Sequence, residues 1–75
     1  MMNLSLDSIF TIRNFGDNII CETNGQNKET DKWAGAIYLV TNGYHSPIIS
    51  SEQIYDTRED AIEDMKKIVE QIREK

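Results

Sequence analysis

The side chains with the widest chemical repertoire in this chain are Cys21 and His45, and there is one residue of each kind. His45 stands beside Ser46, which puts an imidazole next to a hydroxyl. A nucleophilic triad also needs a third group, held by the fold, to orient the imidazole. His45 therefore reads as an exposed turn residue. One histidine and one cysteine are too few nitrogen and sulfur ligands for a transition-metal site, so we expect neither metal nor cofactor. Cys21 follows Ile19-Ile20 and has no cation beside it to favour the thiolate. It reads as a small apolar residue. Ser50-Ser51-Glu52 has hydrogen-bonding capacity and reads as the wet face of an edge strand. Asn24-Gly25 and Asn42-Gly43 lack the glycine spacing and the lysine of a phosphate-binding loop. The sequence thus offers no catalytic set, and the expectation is a non-enzymatic protein.

Two features remain as candidates for recognition. Glu59, Asp60, Glu63 and Asp64 gather carboxylates at the start of a helix. Acids there complement the helix dipole, and the same patch would suit a basic partner. The aromatic residues Trp33, Tyr38, Tyr44 and Tyr55 are more than a small core requires. The formal net charge is −5, and no run of Lys or Arg occurs. That argues against direct binding to nucleic-acid phosphates and against an anionic membrane surface. The segment Met-Met-Asn-Leu-Ser-Leu-Asp lacks a basic stretch followed by an apolar run, so it is not read as a signal peptide. A single cysteine excludes an internal disulfide. The expectation is a soluble cytoplasmic protein forming a single domain over residues 1–75.

The elements that must position these residues are led by a helix over about 57–73. Apolar residues recur at Ala61, Met65, Ile68 and Ile72, with Ile62 and Val69 widening the stripe. Thr57 with Asp60, or Asp56 with Glu59, marks the start, and the sequence leaves both capping registers open. A lone amphipathic helix is marginal in water, so the preceding residues must offer an apolar surface. Strands are expected at about 9–15, 19–23, 33–41 and 48–55. Residues 9–15 are rich in β-branched and aromatic side chains. A helix over 7–14, closed at Gly16, competes with that strand. Residues 1–8 admit strand or helix. Asn24 to Lys32 is wholly polar and reads as an exposed, mobile loop. In 33–41 one face carries Trp33, Gly35, Ile37 and Leu39, the expected seat of the helix, and the other carries Ala34, Ala36, Tyr38 and Val40. Asn42-Gly43 signals a hairpin turn, extended here through Pro47 because proline resists strand pairing. A bulge is expected near Glu52-Gln53. The result is an α+β, two-layer domain: an antiparallel meander of three to four strands covered on one face by one C-terminal helix.

The run Ile48-Ile49-Ser50-Ser51-Glu52, then Tyr55, Thr57-Arg58, Ala61 and Met65, resembles the strand-to-helix passage of the small YegP-like family. That resemblance implies a small antiparallel sheet with a helix and assigns no activity. Thr57-Arg58-Glu59-Asp60-Ala61 after a meander resembles the helix start of HicB-like antitoxin domains, although their aromatic-Pro-Asp-Leu-Pro-Gly-Cys segment is missing. A sheet with a lid on one side leaves an apolar face, assigned here to Tyr38, Val40 and Cys21 with Tyr44 in a nearby loop. Exposed apolar sheet often marks a partner contact. The leading expectation is a protein-interaction module, pairing with a partner or with itself as a homodimer. The alternative is an acidic inhibitor or antitoxin-like protein that presents Glu59, Asp60, Glu63 and Asp64 to a basic, nucleic-acid-binding protein.

Overall fold

The computed structural model describes residues 5–74. Its elements in order are α1 (Leu6–Asn14), a 3-10 turn (Gly16–Asn18), β1 (Ile19–Gln26), β2 (Trp33–Thr41), β3 (Tyr44–Ser50) and α2 (Arg58–Glu74). The three strands form an antiparallel sheet in the order β1-β2-β3. The α+β architecture matches the sequence reading, with three of the three to four expected strands and, beyond it, a second helix beside the C-terminal one.

Helix α2 begins where Thr57 caps it. The Thr57 hydroxyl accepts from the Asp60 amide at 3.0 Å, which selects one of the two capping registers. Its buried residues are Ala61, Met65, Val69 and Ile72. Val69, expected only to widen the stripe, lies in its centre, and Ile68 is half-buried. Met65 lies against Gly35 of β2, where a Cβ would stand 2.7 Å from the Met65 Cγ. The face carrying Gly35 and Ile37 is therefore the covered one, as the sequence pattern indicated.

The expected strand over 9–15 is a helix. Ser5 caps α1 by accepting from the Ser8 amide at 3.1 Å, and Asp7 and Arg13 sit at the ends that suit the dipole. Ile9 and Ile12, three residues apart, turn to the core, while Leu6 and Phe10, four apart, turn to solvent. Packing of Ile12 outweighs the weak helix propensity of its β-branched neighbours. Ile12 joins Ile37, Ile49, Met65, Val69 and Ile72 in one core cluster. Ile37 and Ile49 stand directly opposite each other, so both helices cover the same face of the sheet.

Strand β3 starts earlier than expected. Asn42 and Gly43 both have positive φ, at 51° and 83°, which closes a two-residue turn whose twist matches the strands. Pairing resumes at once at Tyr44, and Pro47 sits within the strand opposite Tyr38. Proline is tolerated there because β3 is an edge strand. The bulge falls at Ile48, where the register shifts between Ile37 and Tyr38, and not near Glu52-Gln53. Residues beyond Ser50 leave the strand. Ser51 still bonds the Gly35 carbonyl at 2.8 Å, and Tyr55 exchanges two backbone hydrogen bonds with Trp33. At the other hairpin, Asn24 to Gln26 belong to β1 and only 27–32 form the loop. Asn27 ties that loop together by accepting from the Glu29 amide and exchanging backbone bonds with Asp31 and Lys32.

Candidate functional site

The face turned away from both helices is assembled by strand register. Ile20 stands opposite Tyr38, Glu22 opposite Ala36, and Val40 opposite His45. Directly opposed residues share a face, and these alternate with Cys21, Ile37 and Leu39 on the covered side. The Tyr38 hydroxyl donates to Asn24 Oδ1 at 3.3 Å. On this face Ala34 and Ala36 are buried, at 3% and 0% exposure, and Tyr38 and Val40 are half-buried. The His45 ring meets Tyr38 edge-on, with centroids 6.2 Å apart and planes at 72°. A shallow depression of about 350 Å³ lies among Ile20, Glu22, Thr23, Tyr38 and His45. One carboxylate therefore borders an apolar and aromatic floor. Among the described residues Glu22 pairs with Arg58, whose Nη2 lies 3.9 Å from Glu22 Oε2 with both side chains about half exposed. Such a pair holds the two groups only weakly.

A second concavity, also of about 350 Å³, lies on the helix side. Ile54, Tyr55, Asp56, Asp60, Glu63, Asp64 and Lys67 line it. The Tyr55 hydroxyl donates to Asp64 Oδ2 at 2.5 Å, and Asp56 is paired at the surface with Lys32. Burial first, and then the Asp64 carboxylate, push the Tyr55 phenol up to about 12. The folded pKa lies above the ordinary value, so this interaction favours folding fully below pH of about 10 and is lost as pH rises toward 12. Tyr55 should accordingly ionise late, toward pH of about 12, when its phenolate absorbance is followed. Asp64→Asn should bring that step down. Ionisation of Tyr55 at the ordinary phenol value in the unaltered protein would contradict the contact.

Of the residues singled out in the sequence, Tyr38 and Val40 share the open face. Cys21 does not. It stands opposite Ile37 and packs against the core, so its assignment to the open face is corrected. The reason is parity: a one-residue step along β1 changes face. Lys66 lies close enough to act on Cys21, a cation the local sequence did not reveal. Burial dominates and raises the thiol pKa, with Lys66 opposing it and Glu22 adding to it. Tyr44 is highly exposed and is a strand residue opposite Thr41, with the parity of the covered face, rather than a loop residue bordering the open one. Asp60, Glu63 and Asp64 come together in the acidic groove, and Glu59 lies outside its lining. His45 and Ile20 were missed as partners of Tyr38. A two-residue turn at Asn42-Gly43 would have placed His45 opposite Val40 from sequence alone. Leu6, Phe10 and Ile54 are further exposed apolar side chains, at 84%, 61% and 61%.

Among the described residues, no group of three or more His, Cys, Asp or Glu side chains is placed to hold a metal ion. Among the described residues no helix is long and apolar enough to cross a membrane. No family model, curated protein or solved structure matches the chain.

Proposed function

We propose that this protein is a small, non-enzymatic interaction module of the cytoplasm that engages a protein partner through the sheet face its helices leave open. The observation that carries this reading is the one-sided lid. α1 and α2 both pack on the Ile37 face, while Ile20, Tyr38, Val40 and His45 sit together on the other. Ile20, Tyr38 and Val40 are half-buried and His45 is exposed, and partly covered apolar and aromatic groups beside a few oriented polar ones suit a contact surface. A homodimer through the same face is a version of this reading, and direct contact with nucleic acid is not part of it.

A second reading rests on the groove where Asp60, Glu63 and Asp64 meet the exposed Ile54. There the protein would act as an acidic inhibitor, like the antitoxins its helix start resembles, on a basic, nucleic-acid-binding protein.

One experiment separates the two. Benzoylphenylalanine is introduced at Tyr38, at Glu63 or at Glu70, which is exposed on α2 away from both concavities, and the protein is irradiated in its own cells. The expected result is a specific adduct from position 38 and none from 70. Adducts from 63 alone transfer the function to the acidic groove. No adduct from 38 or 63 overturns both readings.

A further inference from the structure

We infer that the outer edge of β1 accepts an extended segment of a protein partner as a fourth strand, with a lysine or arginine of that segment beside Glu22. This rests on the interaction reading above and names the partner's chemistry.

The two edges of the sheet are not equivalent. An edge strand presents unpaired N–H and C=O groups that another chain can pair with, and proteins obstruct edges that must stay free. β3 is obstructed three times. Pro47 removes a donor in mid-strand, the bulge at Ile48 breaks the register, and the Ser8 hydroxyl donates to the Ile48 carbonyl at 3.4 Å. β1 has none of these over residues 20–23. Its register against β2 is regular through Thr23, it contains no proline, and no other described segment bonds its backbone there. The bulge between Thr23 and Gly25 ends the usable stretch.

Side chains on the open face state what the added strand should carry. Strand side chains alternate, so a partner residue beside Glu22 and another two positions along would both face the depression, the second beside Ile20. Among the described residues Glu22 is held only by Arg58 at 3.9 Å, a long and half-exposed pair that leaves the carboxylate open to a closer cation. Ile20 and the Tyr38 ring ask for an apolar side chain. A second copy is the poorer occupant. Each chain carries a net charge of −5, and pairing β1 with its own copy would bring two Glu22 carboxylates toward each other.

The probe is the peptide acetyl-Thr-Val-Thr-Arg-Thr-Val-Thr-amide, compared with its Glu-for-Arg counterpart and with a version N-methylated at alternate residues. Amide resonances and amide exchange are followed in the full chain. The Arg peptide should perturb residues 20–23 and slow exchange of their outward amides. The other two peptides should bind at least about tenfold more weakly, and Glu22→Gln should weaken the Arg peptide about threefold. Shifts at Tyr38, Val40 and His45 with unchanged exchange at 20–23, and equal binding of the N-methylated peptide, would remove the edge while leaving the open face in place. Shifts confined to Asp60 and Asp64 would overturn both. Protection of 20–23 without peptide, with a dimer mass in sedimentation, would replace the basic partner by a second copy. No response at millimolar peptide overturns the edge assignment, and the crosslink from position 38 still decides the broader reading.

Discussion

Met65→Ala should cost about 2–5 kcal/mol, and adding Gly35→Val to the same chain should return part of the loss. Met65 is fully buried, and its side chain lies in the space above Gly35. A Cβ at position 35 would stand 2.7 Å from Met65 Cγ, 2.8 Å from Cε and 2.9 Å from Sδ. Glycine is needed there for room, because helix and sheet approach across it. Gly35→Val alone should therefore cost about 1–3 kcal/mol by overpacking. With Met65 cut back to alanine, the valine methyls enter the vacated volume, and the same substitution becomes neutral or stabilising. The change of sign is the diagnostic, a coupling of roughly 1–3 kcal/mol between residues in contact. Denaturant midpoints at constant m-value measure it. Strict additivity would mean that Met65 does not lie over Gly35, and the docking of α2 would need redrawing.

That docking was legible in the sequence because it rests on local pattern. The α2 stripe has one period, and only the odd-numbered face of 33–41 combines bulk with a gap at Gly35. The turn at Asn42-Gly43 was equally visible, since positive φ at both positions selects these two residues. What the sequence hid depends on distant partners. Pro47 looked like a barrier until β3 proved to be an edge, where a missing N–H goes unused. Cys21 looked like an open-face residue until its pairing with Ile37 fixed the parity of β1. Glu22, Tyr38 and His45 come from three strands, and no spacing in the chain announces that they share a depression. Residues 9–15 failed for another reason. Ile9, Phe10, Ile12 and Phe15 satisfy a strand's composition and a helix's period together, and local propensity decides weakly between them.

The choice at 9–15 has a direct experimental consequence. In a strand, Phe10 and Ile12 would share a face and be lost at comparable cost. In α1 they point apart: Ile12 is fully buried among Ile37, Ile49 and Met65, and Phe10 is 61% exposed. Ile12→Ala should cost about 2–5 kcal/mol. Phe10→Ala should cost under about 1 kcal/mol, and Leu6→Ala, at 84% exposure, about 0.5 kcal/mol or less. A domain of this size holds a total of about 4–11 kcal/mol, so the first variant removes a large share. It also loosens α1 before the sheet, because the remaining ties are few: the partly buried Ile9 and a handful of polar contacts. Arg13 Nε donates to the Ile72 carbonyl at 3.0 Å, and the Arg73 guanidinium lies over Gly16. Amide exchange in Ile12→Ala should quicken across residues 9–15 while β2 keeps its protection. Equal losses for Phe10→Ala and Ile12→Ala would restore the strand, uncover the β3 side of the core, and leave the one-sided lid without its second helix.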